Sequence, residues 1–385
     1  YALLLGQPLT DVLQPRQEGH FLYLTGVEEP DASLLLAGAK AAPLRIAAAP
    51  REAVFLRDSH PRFARFYGLR LRPGAGSAAE LGVETTRAAP SGGDGLGRAL
   101  AAALPEAAVL HLPAYAGPDH APVREIRRAV ADALARDRPD VRVVDLHPEM
   151  TRMRAVKDAL EVASLRRAIA FTEQAFREGL PEIHAGGSEA ALDGALIRAV
   201  RRLGARPAYA FVVGAGPNGA VPHHFRNDGP LREGDLVVID AGAEADRYAA
   251  DVTRTFPISG RFSKRQREVY GVVLEAQRAA IAAVRPGADL GDVDRAARSV
   301  IARAGLAERF LHATSHHVGL DVHDPGPARI EVGMTFTVEP GVYLPEEGFG
   351  VRIEDVVLVT ESGAEVLSAG LPKEPDEVEA LLAKR

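Results

Sequence analysis

Apolar residues change their spacing along the chain, and the change divides it in two. In the first third, short apolar runs alternate with turns and helical stretches. Phe21–Val27 (FLYLTGV), Ala32–Gly38 (ASLLLAG) and Ala53–Leu56 (AVFL) read as strands, and Arg142–Pro148 (RVVDLHP) closes the region with another. The glycine-rich stretch Ser91–Gly97 (SGGDGLG) predicts a loop, and Val123–Ala135 has helical spacing. These alternations predict an α/β layer domain over residues 1–150.

The texture then shifts. Thr151–Gly179 is rich in Arg, Ala, Glu and Leu, with apolar positions at Val156, Leu160, Ile169 and Phe176, and predicts one long amphipathic helix just past a domain boundary. A second helix starts at Ser188 as N-cap, uses Leu192, Leu196 and Val200, and stops at Gly204. A third begins at Ser263, with Gln266 at capping-box spacing, and ends before Pro286; a fourth runs from about Asp289 to Ala304. Between and after them lie AYAFVVG, DLVVIDAGA, YAADVTRTF, MTFTVEPGVY and GVRIEDVVLVT, dense in β-branched residues and alternating in polarity. Residues 151–385 therefore predict an α+β domain with a mainly antiparallel sheet covered by helices.

Composition removes several function classes. The 385 residues carry a net charge of −6, with 46% hydrophobic and 25% charged residues. That suits a globular protein with a full core, and the lack of a basic excess or polybasic run argues against nucleic acid or anionic membranes as partners. The longest uncharged stretch, Pro207–Phe225, holds three prolines and three glycines and cannot be a membrane helix. No basic segment leads into an apolar one near Tyr1, and a cytoplasmic location is expected. With no cysteine, thiolate metal sites, iron–sulfur clusters and cysteine nucleophiles are excluded, so any metal must be held by oxygen and nitrogen.

Acidic residues sit where such ligands are needed. Asp240 ends the apolar run LVVID and Asp251 opens DVTRTF; a hairpin turning at Ala245–Arg247 would set them side by side. Glu339 and Glu354 are embedded in TFTVEPG and VRIEDVVLV, which otherwise read as buried strand. A single acid beside a strand is ordinarily a strand-end residue or an arginine's partner, and Arg352 could play that part for Glu354. Four such acids are harder to explain that way, because a buried carboxylate is costly unless paired or metal-bound. His312, His316, His317 and His323 cluster nearby in LHATSHHVGLDVHD, and His223 and His224 follow a Pro- and Gly-rich loop.

The ordered set Asp240, Asp251, His316, Glu339 and Glu354, within VVIDAGA, ADVTRTF, SHHVGLDVHD, TVEPGVY and VRIED, resembles the pita-bread metallopeptidase family of methionine aminopeptidase, prolidase and aminopeptidase P. FLYLTGVEEPDASLLL is similar to the small domain that precedes the catalytic domain in Xaa-Pro aminopeptidases and prolidases, and that methionine aminopeptidases lack. The resemblance implies an α+β pita-bread catalytic domain over 151–385, preceded by a smaller α/β N-terminal domain over 1–150.

It also implies a metal centre of two divalent ions, with manganese expected and cobalt or zinc as substitutes. Asp240 would chelate the first ion, Asp251 and Glu354 would bridge both, and His316 and Glu339 would complete the second site. Glu339 would also shuttle a proton. His223, rather than its neighbour His224, would line the substrate site, and His312 would contact the proline side of the substrate. His323 would hydrogen-bond the scissile carbonyl oxygen, and Arg352 would orient a ligand carboxylate or the substrate terminus. His317 departs from the apolar residue the family pattern places beside the metal histidine. The activity so implied is removal of the first residue from peptides with proline second, by a water activated between the ions; a homodimer or higher homo-oligomer is expected. Prolidase, which splits Xaa-Pro dipeptides with the same residues, is the alternative. A non-catalytic binding module, or metal-free creatinase-like hydrolysis, fits a complete ligand set poorly.

Overall fold

The computed structural model describes residues 1–7, 17–45, 50–57, 65, 71–115 and 121–384. The chain forms two compact units, Tyr1–Thr151 and Arg152–Arg385. In the first, strands β1 (Ala2–Leu5), β2 (Ser33–Leu36), β3 (Glu52–Leu56), β4 (Thr86–Ala88), β5 (Val109–His111) and β6 (Arg142–Val144) form one sheet in the order β4-β3-β2-β1-β5-β6. Only β2 runs against its neighbours; the β3–β4, β1–β5 and β5–β6 pairs are parallel.

Two sequence expectations fail here, for identifiable reasons. Phe21–Val27 is not a strand: Gly19–Thr25 is a helix (α1), capped by the Glu18 carboxylate, which accepts from the backbone N–H groups of His20 and Phe21. Gly26, at φ 63°, ends it. A cap outweighs the β preference of an aromatic run. Ser91–Gly97 is not a loop but opens helix Gly92–Ala103 (α3; α2 is Ala75–Leu81), which packs on Ala121–Asp137 (α4). A Cβ on Gly93 would lie 2.6 Å from the Ile126 carbonyl oxygen, and one on Gly97 would lie 2.5 Å from Ala133 Cβ. These glycines serve close helix approach, which the sequence pattern reads as a break. The last strand is also shorter than Arg142–Pro148, because Asp145 accepts the His147 N–H at 2.9 Å as the chain turns into helix His147–Ala155 (α5).

In the second unit the predicted helix 151–179 is broken. Lys157 donates its N–H to Gly333, and Asp158 then caps a fresh helix, Ala159–Gly179 (α6), in a capping box with Glu161. Ile169 and Phe176 face the core, but Leu160, in the first turn after the break, is 79% exposed. Glu189–Arg202 (α7), Lys264–Ala283 (α8) and Leu290–Arg303 (α9) form where expected, with Ser188, Ser263 and Asp289 as caps. Pro375–Leu382 (α10) ends the unit.

All strand pairs in this unit are antiparallel. They make three-stranded sheets β11-β10-β7, β12-β9-β8 and β13-β16-β17 and a two-stranded ribbon β14-β15. The strands are β7 (Arg206–Pro207), β8 (Val212–Ala215), β9 (Leu236–Ala241), β10 (Ala243–Ala245), β11 (Tyr248–Ala249), β12 (Val252–Pro257), β13 (Thr335–Val338), β14 (Gly341–Leu344), β15 (Phe349–Arg352), β16 (Asp355–Thr360) and β17 (Gly363–Val366). The turn at Asp246 and Arg247 has φ of 50° and 73°, the left-handed geometry a two-residue hairpin needs. Thr253 pairs with Asp240 across β12 and β9, so Asp251, two residues earlier, is a diagonal neighbour of Asp240 on the same face. Gly242 permits the crossing: a Cβ there would lie 1.8 Å from the Ala250 carbonyl oxygen. Among the described residues no helix is long and apolar enough to cross a membrane.

Behind these strands lies a buried ionic group. Arg254, fully buried, donates to Asp355 Oδ1 (2.8 Å), to the carbonyl of Glu354 (2.6 Å) and to that of Leu371 (2.8 Å). Gln277 and Lys373 reach the other oxygen of Asp355. Arg254 thereby fixes the backbone on which Glu354 stands. Arg254→Met should cost roughly 3 kcal/mol of unfolding free energy, by taking from Asp355 one of its two cationic partners and leaving the buried carbonyls of Glu354 and Leu371 without that donor. Urea denaturation of the variant measures it, and a midpoint equal to the parent's would deny Arg254 this task.

Candidate metal centre

The acids lie where strand ladders stop and side chains can converge. Asp240 is next to last in β9, Asp251 precedes β12, Glu339 follows β13, and Glu354 stands between β15 and β16. The His316 N–H donates to Thr337 Oγ1 (3.1 Å) and its carbonyl accepts the Thr337 N–H (2.9 Å), which ties it to β13. The Glu354 N–H donates to the Thr253 carbonyl (3.1 Å), joining the two sheets that carry the site. All five face one cavity of about 470 Å³.

Within it, Asp251, His316 and Glu354 offer ligand atoms within 4.8 Å of one another. His316 Nε2 lies 3.4 Å from Asp251 Oδ2 and 3.3 Å from Glu339 Oε1. The Tyr209 hydroxyl lies 2.6 Å from Asp240 and 2.6 Å from Asp251. Arg352 donates from Nη2 to Asp240 (2.7 Å), from Nη1 to the Tyr343 hydroxyl (2.9 Å) and from Nε to Thr253 Oγ1 (3.1 Å). Thr253 Oγ1 in turn donates to Glu354 (2.6 Å).

The electrostatics are those of a crowded acid cluster. Burial and the neighbouring charge of Asp251 raise Asp240 to about 6. Burial raises Glu339 to about 7, and burial plus three other carboxylates push Glu354 well above its ordinary range. Burial pushes Asp251 up too, but its bond to and the charge of His316, the Tyr209 hydroxyl and the charge of His323 together outweigh this and hold it low. Burial pulls His316 down, yet its carboxylate partners raise it to about 9. Four carboxylates faced by Arg352 and one imidazole are short of positive charge, and all-oxygen donors with one imidazole suit a hard divalent cation. These side chains therefore fit a metal centre.

The remaining predicted residues divide. His223 lines the cavity beside Phe225, and His323 lines it with its ring 4.3 Å from that of His316. His312 closes a chain in which Arg352 donates to Tyr343 and the Tyr343 hydroxyl reaches His312 Nε2 (2.8 Å); burial lowers this imidazole to about 4, so the ring is neutral. His224 turns away and meets Glu189 at 3.1 Å. His317 also turns away: its Nε2 lies 2.9 Å from the Pro327 carbonyl oxygen and its ring lies against Phe336, so it does not line the cavity. Tyr209, Tyr343, Thr253 and Thr337 escaped the sequence reading. The one signal for Tyr209 is a polar-tipped aromatic in an otherwise small, apolar run.

A cage of hard ligands between antiparallel sheets defines a metal-dependent hydrolase. Residues 163–361 match the model of metallopeptidase family M24, and the chain belongs to that family. Its second unit has the pita-bread fold. Xaa-Pro aminopeptidase 2 of Streptomyces coelicolor is 40% identical over 320 residues, which cover 68% of each chain. Proline aminopeptidase P II from Yersinia pestis superposes with a TM-score of 0.84 at 32% identity, over 100% of this chain and 95% of that one. Zinc-substituted Escherichia coli aminopeptidase P, in complex with product, gives 0.82 at 31%, over 100% and 94%.

Protonation and metal binding compete at this site. A raised carboxyl gives stability below its ordinary value, 3.8 for Asp240 and 4.5 for Glu339, that is lost as pH rises through about 6 and about 7. Raised His316 loses its share only through about 9, and lowered Asp251 acts in the opposite sense. The chelated protein should therefore melt at lower temperature as pH rises from about 5 to about 8, while the increment on adding manganese grows. Differential scanning calorimetry with and without chelator reads both, and an increment that shrinks with pH would contradict the ligand assignment.

Proposed function

We propose that the chain is an Xaa-Pro aminopeptidase, releasing the first residue of peptides whose second residue is proline. The observation that carries this is the convergence of Asp240, Asp251, His316, Glu339 and Glu354 on a cavity also lined by His223, His312 and His323, in a chain that matches aminopeptidase P over its full length. By this reading the five side chains hold two divalent cations, manganese first among candidates, in a cytoplasmic homodimer. When bound, such ions would supply Lewis-acid polarisation of the scissile carbonyl and a water acidified enough to act as nucleophile near neutral pH.

The chain's own groups do the rest. Tyr209 and Arg352 orient Asp240, and Thr253 orients Glu354. Glu339 engages Thr337 and His316 through Oε1, which leaves Oε2 to take a proton from water and deliver it to the departing proline nitrogen. His323 donates to the carbonyl oxygen as negative charge develops there. Pro222, Phe225, Val212 and the face of the His312 ring supply apolar walls for the substrate. An Xaa-Pro bond has no N–H to offer, so an enzyme for it must grip the pyrrolidine ring and the carbonyl instead.

With manganese added, the protein should cleave Xaa-Pro-Yaa tripeptides and longer peptides, as read by release of the first amino acid. Activity confined to Xaa-Pro dipeptides would make it a prolidase. Glu354→Gln should lower bound metal, measured by mass spectrometry, and abolish turnover. His323→Ala should keep the metal and lose about 10²–10³-fold in kcat, and an unchanged kcat would remove His323 from the carbonyl.

A further inference from the structure

A second acid, away from the cavity, gathers the loop that borders it. Glu189 opens α7 and is fully buried. Its Oε1 accepts the Ala215 N–H (2.7 Å) and Asn218 Nδ2 (2.9 Å), and its Oε2 accepts the Gly229 N–H (2.6 Å) and His224 Nε2 (3.1 Å). Glu189, His224 and Asp228 also place ligand atoms within 4.8 Å of one another, as a metal site would. Yet each carboxylate oxygen of Glu189 already faces two N–H donors, which a cation would have to strip away. The group is built to hold chain.

What it holds is residues 215–229. Asn227, at φ 47°, pins the returning limb to β8: it accepts the Val213 N–H (2.9 Å) and donates to the Phe211 carbonyl (2.9 Å). Gly229 has no room for a side chain, since a Cβ would lie 2.6 Å from Asn218 Nδ2 and 2.8 Å from Glu189 Oε1. Between these anchors His224 is drawn onto Glu189 while the adjacent His223 lines the cavity. Two consecutive histidines are thus sorted, one to the carboxylate and one to the substrate side.

We propose that Glu189 is the positioning residue for His223, acting through His224 to fix how this loop presents His223 to the peptide. The role deepens the aminopeptidase function proposed above and rests on it. Were Glu189 and His224 needed for folding alone, their loss would lower stability without singling out substrate binding through His223.

A double-mutant cycle on the manganese-loaded, full-length chain tests this with His224→Leu, His223→Ala and the double variant. His224→Gln, which keeps an N–H donor for Glu189, is the conservative control. Arg226, 82% exposed on the same loop, gives a second readout through native trypsin cleavage after it. His224→Leu should raise KM for an Xaa-Pro-Yaa peptide about tenfold with kcat within about twofold, bound metal unchanged and Arg226 cleaved faster. His224→Gln should restore parental values, and in the His223→Ala background His224→Leu should add less than about twofold. A parental KM in active His224→Leu, or equal losses in both backgrounds, overturns the proposal. A parent chain inert on every Xaa-Pro peptide would sink the proposed function separately. The trypsin rates then decide the clamp: faster cleavage in His224→Leu supports it, and an unchanged rate overturns it.

Discussion

Asp240, Asp251, Glu339 and Glu354 confront one another in one cavity, Asp251 and Glu354 buried and the other two partly so, where like charges repel and each carboxylate has lost much of its hydration. The effective penalty for burying such a group is several kcal/mol, more than a chain of marginal stability can leave unanswered at four positions. Much of the second unit can be understood as a response. Tyr209 shares its hydroxyl between two of the acids, Arg352 answers Asp240, and threonines on β12 and β13 contact Glu354 and Glu339. A divalent cation would complete the balance, so metal affinity and electrostatic relief would then be one property.

The same constraint explains why the gathering of these acids in one cavity was legible in the sequence. An acid inside a strand-like apolar run conflicts with burial, and four such conflicts with a neighbouring histidine cluster leave few physical resolutions. The strands that carry them are dense in β-branched residues, and Ser188, Ser263 and Asp289 mark the helices of the same unit by capping. In the first unit local signals misled. Glu18 turned an aromatic, β-prone run into a helix, and Gly93 and Gly97 stand inside a helix because another helix passes too close for any side chain. A cap formed by one side chain, or a glycine needed for a tertiary contact, has no periodicity to betray it.

The helpers were hidden for a related reason. Tyr209, Tyr343 and Thr253 meet their partners only once strands distant in sequence are in register, and a hydrogen bond between such residues leaves no mark on either segment alone. His223 and His224 show the limit most clearly. Adjacent in sequence and identical in type, they part company because a buried carboxylate on α7 claims one of them.

The loop that bears His223 and Phe225 is fastened at its base by Glu189 and Asn227, neither of which belongs to the metal-ligand set. The loop that borders the cavity and the candidate metal ligands therefore occupy separable stretches of the gene. Within that loop Phe225 can be exchanged to reshape the cavity wall, while the His224–Glu189 contact and the charge balance of the acid cluster stay as they are. For an engineer, that makes the rim of the pocket an adjustable part mounted on an invariant motor.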